Sequence, residues 1–193
     1  VTEAFSGFRY LNGYPEDVPV RPNLSLGDSV AGVHAALGIL LALLARNNNA
    51  QGQIIDVALY ETMFNLMEGV VPEYDGAGAI REPAGSTLTG IVPTNTYLCR
   101  DKKHVVIGGN GDSIYVRLMT AIGRADLAND PALGSNAGRV EQQQLIDAAI
   151  GGWTSAHSST EVIAILEAVE VPVGPIYSIE DAFNDPHYQA RGM

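Results

Sequence analysis

The chain of 193 residues carries 11 Lys+Arg against 22 Asp+Glu, a formal net charge of −11, with 46% apolar and 17% charged residues. This length allows one large domain or two small ones, and the hydrophobicity excludes a disordered chain. The charge balance argues against nucleic acid as the main ligand, because phosphate contacts need clustered Lys and Arg and the longest basic run is Arg100-Asp-Lys102-Lys103-His104.

No basic segment precedes an apolar stretch near Val1, so no signal peptide is expected. Residues 1–27 are rich in Gly, Pro and Asn and predict an extended, turning segment. From Val30 to Ala45 the only polar side chain is His34. The stretch Ser29–Ala45 approaches the length of a membrane span. Its small residues (Ala31, Gly32, Ala35, Ala36, Gly38, Ala42) and polar flanks predict instead a helix buried on all sides in a layered domain. Ser25-Leu-Gly-Asp28 matches a capping box at its start. Gln53–Val57 predicts a strand. Ala58–Val71, with Leu59, Met63, Leu66, Met67 and Val70 at spacings of 3 and 4, predicts a helix stopped by Pro72.

Residues 73–95 hold four glycines and two prolines and form a linker. Thr96–Cys99 and His104–Ile107 predict two strands joined by a charged turn. Cys99, the single cysteine, excludes an internal disulfide framework and a cysteine-built zinc site. A reducing compartment, the cytoplasm, follows as the expectation. Asp112–Ile122, Arg139–Trp153 and Thr160–Val169 predict helices, the last capped by Thr160. Val173–Tyr177 predicts a short strand, and Ile179–Phe183 a helical turn broken by Asn184-Asp-Pro186.

Few residues in this pattern carry chemistry. Asp28 sits where a helix presents free backbone N–H groups and the positive end of its dipole, which suits an anion. It is read either as the second half of the capping box or as a carboxylate nucleophile. Gly108-Gly-Asn-Gly111 follows a strand and precedes a helix but satisfies neither G-x-G-x-x-G nor a P-loop, so an ordinary turn is expected. His34, His104, His157 and His187 form no H-x-H or H-x-x-x-H pair, and no metal site is expected. His34 is off the helical face of Asp28 and is read as a packed or hydrogen-bonded histidine. Ser6 and Ser86 lack the G-x-S-x-G context of a serine hydrolase.

The phrase Arg21-Pro-Asn-Leu-Ser-Leu-Gly-Asp28 opens an ordered series. It continues through Gly52-Gln53-Ile-Ile-Asp56 and Gly90-Ile-Val-Pro93-x-Asn95-x-Tyr97 to Val106-Ile-Gly-Gly-Asn110. Ile122-Gly-Arg124, Asp130-Pro131, Trp153-Thr154, Val171-Pro-Val-Gly-Pro-Ile-Tyr177 and Asp185-Pro186 complete it. This succession resembles the class III CoA-transferases, the group of formyl-CoA and carnitine CoA-transferases, over essentially the whole chain.

The resemblance implies an α/β fold in which part of a Rossmann-like large domain is followed by a smaller α+β domain. Residues 1–75 then belong to the large domain, 76–95 form the linker and a glycine-containing loop, 96–178 form the small domain, and 179–193 begin a return linker. It implies that Asp28 is the nucleophile. Asp28 attacks an acyl-CoA thioester to give an anhydride and CoA thiolate, the thiolate forms an aspartyl-CoA thioester, and the acceptor carboxylate leaves with CoA. Thr89, Gly90 and Ile91 match the loop that covers the site, with a single glycine where some relatives have a run.

CoA is then a substrate and no cofactor is expected. The partners implied are an acyl-CoA, a carboxylic acid and a second copy in an interlocked homodimer, with no nucleic acid or membrane. The phrases at 21–28 and 90–97 are similar to those of members that use succinyl-CoA and dicarboxylic acids. The family also contains the α-methylacyl-CoA racemases, an alternative activity, but Ser29-Val30-Ala31 follows the aspartate where racemases often have glycines. Family members extend past both ends of this segment, so the chain alone is expected to be inactive. The cations that meet CoA phosphates are expected upstream, which reconciles an anionic ligand with the charge of −11.

Overall fold

The Gly- and Pro-rich start of the chain holds more regular structure than its composition predicts. In the computed structural model, which describes residues 1–193, helix α1 spans Thr2–Phe5 and a 3-10 turn spans Phe8–Leu11. Buried Glu3 fixes this corner, with Arg9 Nη2 3.2 Å and Arg21 Nε 4.0 Å from its carboxylate. Helix α2 runs Leu26–Asn49, and α3 (Leu59–Phe64) passes into a 3-10 turn at Asn65–Met67. Helix α4 follows at Val70–Ala77.

The helix expected over 58–71 is therefore two, separated at Glu68, which has φ 46°. Pro72 does not stop it. Pro72 sits in the first turn of α4, where a backbone N–H has no intrahelical partner to lose. The strand expected at Gln53–Val57 is absent: the segment is exposed and Ile54 is 99% accessible. A strand exists through bonds to a neighbouring strand, and Val1–Gly85 contains none.

The expectation for α2 also needs correction. Its contact with α3 buries only Gly27 and Ala31, beside buried Met63 and Met67. Leu37, Leu40, Leu41 and Leu44 are exposed. By length and composition the helix could cross a membrane, and only 6% of its most apolar window is buried. The reason is geometric. A helix that is apolar all round needs neighbours on several faces, and the six-residue α3 covers one stripe.

The second unit, Ser86–Met193, is built around a three-stranded antiparallel sheet. Strands β1 (Thr94–Leu98), β2 (His104–Gly108) and β3 (Val173–Pro175) lie in that order, with Thr96 opposite Val106 and Val106 opposite Gly174. The alternation of a half-buried strand is visible in β2, where Val105 and Ile107 are inaccessible and Val106 is exposed.

Helices α5 (Asp112–Ala121), α6 (Ala125–Ala128), α8 (Gln143–Thr154) and α9 (Ser159–Ala168) supply Leu118, Met119, Leu127, Ile146, Ile150, Val162 and Leu166 to one core with the sheet, and α7 (Asn136–Glu141) buries Arg139. The helix expected over 139–153 is thus two, and the first starts at Asn136. Ser158, not Thr160, caps α9. Its hydroxyl accepts from Glu161 N–H while Glu161 Oε2 accepts from Ser158 N–H at 2.7 Å. Only Ser158 has a glutamate at the spacing that a capping box requires.

Helix α10 (Ile179–Asn184) and helix α11 (Pro186–Arg191) end the chain, capped by Ser178 and Asp185. Within the core, Tyr97 donates to Asp147 Oδ1 at 2.5 Å. Burial, and then Asp147, push its phenol far above the ordinary value. Cys99 is a buried free thiol whose pKa burial raises.

Candidate active site

Asp28 is the third residue of α2. The helical ladder begins with Ser29 N–H donating to Ser25 C=O at 3.1 Å, so the amides of Leu26, Gly27 and Asp28 stand ahead of it. The capping box expected from Ser25 and Asp28 does not form, because the Ser25 side chain makes no capping bond. The Asp28 side chain is exposed and accepts no hydrogen bond. What remains is an unpaired carboxylate at the positive end of a 24-residue helix.

His34, six residues on and off the face of Asp28, is occupied. Its Nδ1 lies 2.9 Å from Val30 C=O and its Nε2 3.4 Å from Asn65 Nδ2. A carbonyl only accepts, so Nδ1 donates to Val30. A hollow of about 350 Å³ beside it is lined by His34, Asp56, Glu61 and Asn65 among others and does not include Asp28. No three His, Cys, Asp or Glu side chains gather as metal ligands.

Thr89, Gly90 and Ile91 belong to the other unit. Leu88 to Ile91 form one turn, with Ile91 N–H donating to Leu88 C=O at 3.2 Å. Gly90 has φ +79°, the left-handed value that a type II turn requires at its third position. Thr89 and Gly90 are exposed at the tip, while Val92 at the base is 1% accessible.

Two residues of α7 grip this base. Asn136 Nδ2 donates to Gly90 C=O at 2.8 Å, and Asn136 Oδ1 accepts from Val92 N–H at 3.1 Å. Arg139, fully buried, donates through Nε to Val92 C=O at 3.0 Å, through Nη1 to Leu133 C=O at 3.1 Å and through Nη2 to Asn110 C=O at 2.7 Å and Asp112 Oδ1 at 2.8 Å. Its guanidinium carbon lies 4.9 Å from the centre of the Tyr115 ring. The turn at Gly108–Gly111 is thereby a structural anchor, as an ordinary strand-to-helix turn would be. The sequence reading missed Asn136 and took Arg139 only as a helix start. A lone Asn ahead of a helix and a lone Arg carry no signal by themselves.

The profile of CoA-transferase family III matches residues 1–193. The chain belongs to that family. It is 39% identical over 191 residues to the succinyl-CoA–D-citramalate CoA-transferase of Chloroflexus aurantiacus, covering 99% of this chain and 48% of that one. It is 36% identical over 193 residues to the succinyl-CoA–L-malate CoA-transferase alpha subunit of the same organism, covering 100% of this chain and 45% of the relative. Among solved structures it resembles a CAIB/BAIF family protein from Brucella suis, with a TM-score of 0.82 and 28% identity over 100% of this chain and 50% of that chain. The mixed helix-and-sheet fold is therefore that of the class III CoA-transferases, and the chain spans about half the length of the curated relatives it matches.

Proposed function

We propose that the whole protein to which this family III chain belongs transfers CoA between a donor acyl-CoA and a carboxylic acid, with dicarboxylates as substrates and Asp28 as the nucleophile. The observation that carries the reading is the unpaired Asp28 carboxylate ahead of the hydrogen-bond ladder of α2. A carboxylate must be ionised and placed to act as a nucleophile, and free amides at a helix start can also stabilise oxyanion charge. The relatives named for succinyl-CoA with citramalate and with malate support dicarboxylate chemistry.

In the proposed cycle Asp28 attacks the donor thioester carbonyl, giving a mixed anhydride and CoA thiolate. The thiolate attacks the aspartyl carbonyl and expels the donor acid. The acceptor carboxylate then attacks the aspartyl-CoA thioester to give a second anhydride, from which thiolate takes the acceptor acyl group and frees Asp28. The Thr89–Ile91 turn contacts the acyl-CoA. The rest of the protein covers the apolar faces of α2, and two copies assemble in the cytoplasm as a homodimer.

The test uses the full-length protein incubated with succinyl-CoA and then hydroxylamine. A hydroxamate on the peptide containing Asp28 is the expected result. Asp28→Ala should lower transfer by at least about 1,000-fold, as loss of a covalent nucleophile does. Wild-type transfer by Asp28→Ala would refute the assignment. Exchange of the substrate α-proton with solvent deuterium, without transfer, would favour the racemase reading instead.

A further inference from the structure

The side chain of Asn136 closes a ring on the turn. It donates to Gly90 C=O and accepts from Val92 N–H, the pair of groups that a neighbouring strand would engage on either side of Ile91. The Asn amide offers a donor and an acceptor on separate atoms, side by side and without charge. We propose that Asn136 is a positioning residue: it stands in for a missing strand and holds the tip of the Thr89–Ile91 turn in one conformation for the substrate. This rests on the proposed contact between that turn and the acyl-CoA.

Three further features support a preset turn rather than a loose flap. Helix α7, which carries Asn136, is itself locked. Arg139, one turn later, spends all its bonded nitrogens on Val92, Leu133, Asn110 and Asp112. Gly138 lies where an added Cβ would collide with Ala132 C=O, so the backbone of α7 is in direct contact with the preceding 3-10 turn at Pro131–Leu133. Outside the turn in sequence, Ser86 Oγ donates to Asn95 Oδ1 at 2.6 Å and ties the two flanking segments together. The base is therefore fastened, while Thr89 and Gly90 at the tip are exposed. A turn held this way presents Gly90 in one geometry, and misplacement of a substrate-contacting group by an ångström lowers turnover rather than affinity.

The experiment compares wild type, Asn136→Ala, Asn136→Asp and Ile150→Val in the full-length protein. Ile150 is a fully buried core residue of α8 that makes no hydrogen bond to the turn through its side chain, and its trimming controls for lost stability. Asn136→Ala should speed exchange of the Val92 amide with deuterium by at least about tenfold and lower kcat by at least about tenfold, with KM for the acyl-CoA within about twofold. Asn136→Asp keeps the oxygen for Val92 N–H but turns an oxygen toward Gly90 C=O. It should keep Val92 protected and still lose kcat. Ile150→Val should do neither. The inference fails if wild type transfers CoA and Asn136→Ala leaves kcat or Val92 exchange unchanged, or if Ile150→Val reproduces its kinetics. If wild type transfers no CoA, the functional reading itself falls, and the positioning role falls with it, whatever Val92 does.

Discussion

Ser86–Met193 buries sixteen apolar residues in one cluster, whereas Val1–Gly85 buries three, Ala31, Met63 and Met67. The first unit does not lack apolar residues, since its α2 is apolar enough by composition to cross a membrane. The two units differ in whether the elements that would meet each apolar face lie in the same stretch of sequence. In the second unit, helix α5 packs with α6 and α9 and shares one core with the sheet, all within about eighty residues of chain, so its stripe of Tyr115, Leu118 and Met119 closes over. In the first, α2 packs along α3, meets α1 at Gly27 beside Thr2, and has several open faces. An apolar helix thus reports that burial is required without reporting by what.

The largest test of that contrast is a pair of truncations. Leu118→Ala should cost about 2–5 kcal/mol, the range for a large-to-small change in a closed core. Urea unfolding followed at Trp153, the single tryptophan, reads it, because Trp153 packs against that core. Leu40→Ala in the chain alone should stay within about 0.5 kcal/mol by far-UV helicity, as surface changes do. In the full-length protein the same change should rise into the core range if its face is covered there. Equal costs for Leu40→Ala in both would break the proposal that the rest of the protein buries α2.

How much was legible follows the same line. Elements set by short-range chemistry could be read. The β1–β2 hairpin came from its apolar runs, α5 from its spacing, and the break after α10 from Asn184-Asp-Pro186. The Ser25–Asp28 box matched its pattern and did not form, because a pattern gives spacing and not the rotamer. The Gln53–Val57 strand failed for want of a neighbour. The clamp on the turn was out of reach for another reason. Asn136 is separated from its partners by 44 and 46 residues and Arg139 from Val92 by 47, and no local periodicity encodes such pairs. Asp28 was visible as an acid at a helix start. Only the ordered family resemblance favours reading it as a nucleophile over a cap.

A mid-sized effect probes the turn. Gly90→Ala forces a Cβ onto φ +79°, and the left-handed region costs a non-glycine residue about 1–2 kcal/mol. Nothing lies within 4 Å of the added carbon, so the cost is conformational and not steric. The expected result is a small fall in the stability of the second unit together with a turn that samples other geometries, read as a new set of amide shifts confined to residues 88–92. Unchanged shifts would mean that the turn tolerates alanine and is less tightly set than its bonds suggest.

The smallest effect is acid sensitivity of the second unit. Several of its carboxylates are held below their ordinary range by donors that exist only in the fold. These are Asp101 by the Ser159 hydroxyl, Glu161 by the Ser158 amide, Asp181 by the Ser178 hydroxyl and Asp185 by the Tyr177 hydroxyl. Asp126 is lowered to about 2, by its hydrogen bond from Arg124. A lowered folded value means that the unfolded chain binds more protons near pH 4, so stability rises with pH there. The contribution is complete above the ordinary carboxylate pKa of about 4 and is lost as pH falls toward the folded values, for Asp126 to about 2. All five groups are at the surface, where solvent and salt weaken each one, so the sum should be modest and should shrink in high salt. Urea midpoints at Trp153 should therefore drift down between about pH 4.5 and 2.5 at low ionic strength. Asp126→Asn should flatten the most acidic part of the drift. A midpoint that holds level through this range, or one that salt does not alter, would show that the caps of α9, α10 and α11 form without contributing net charge stabilisation.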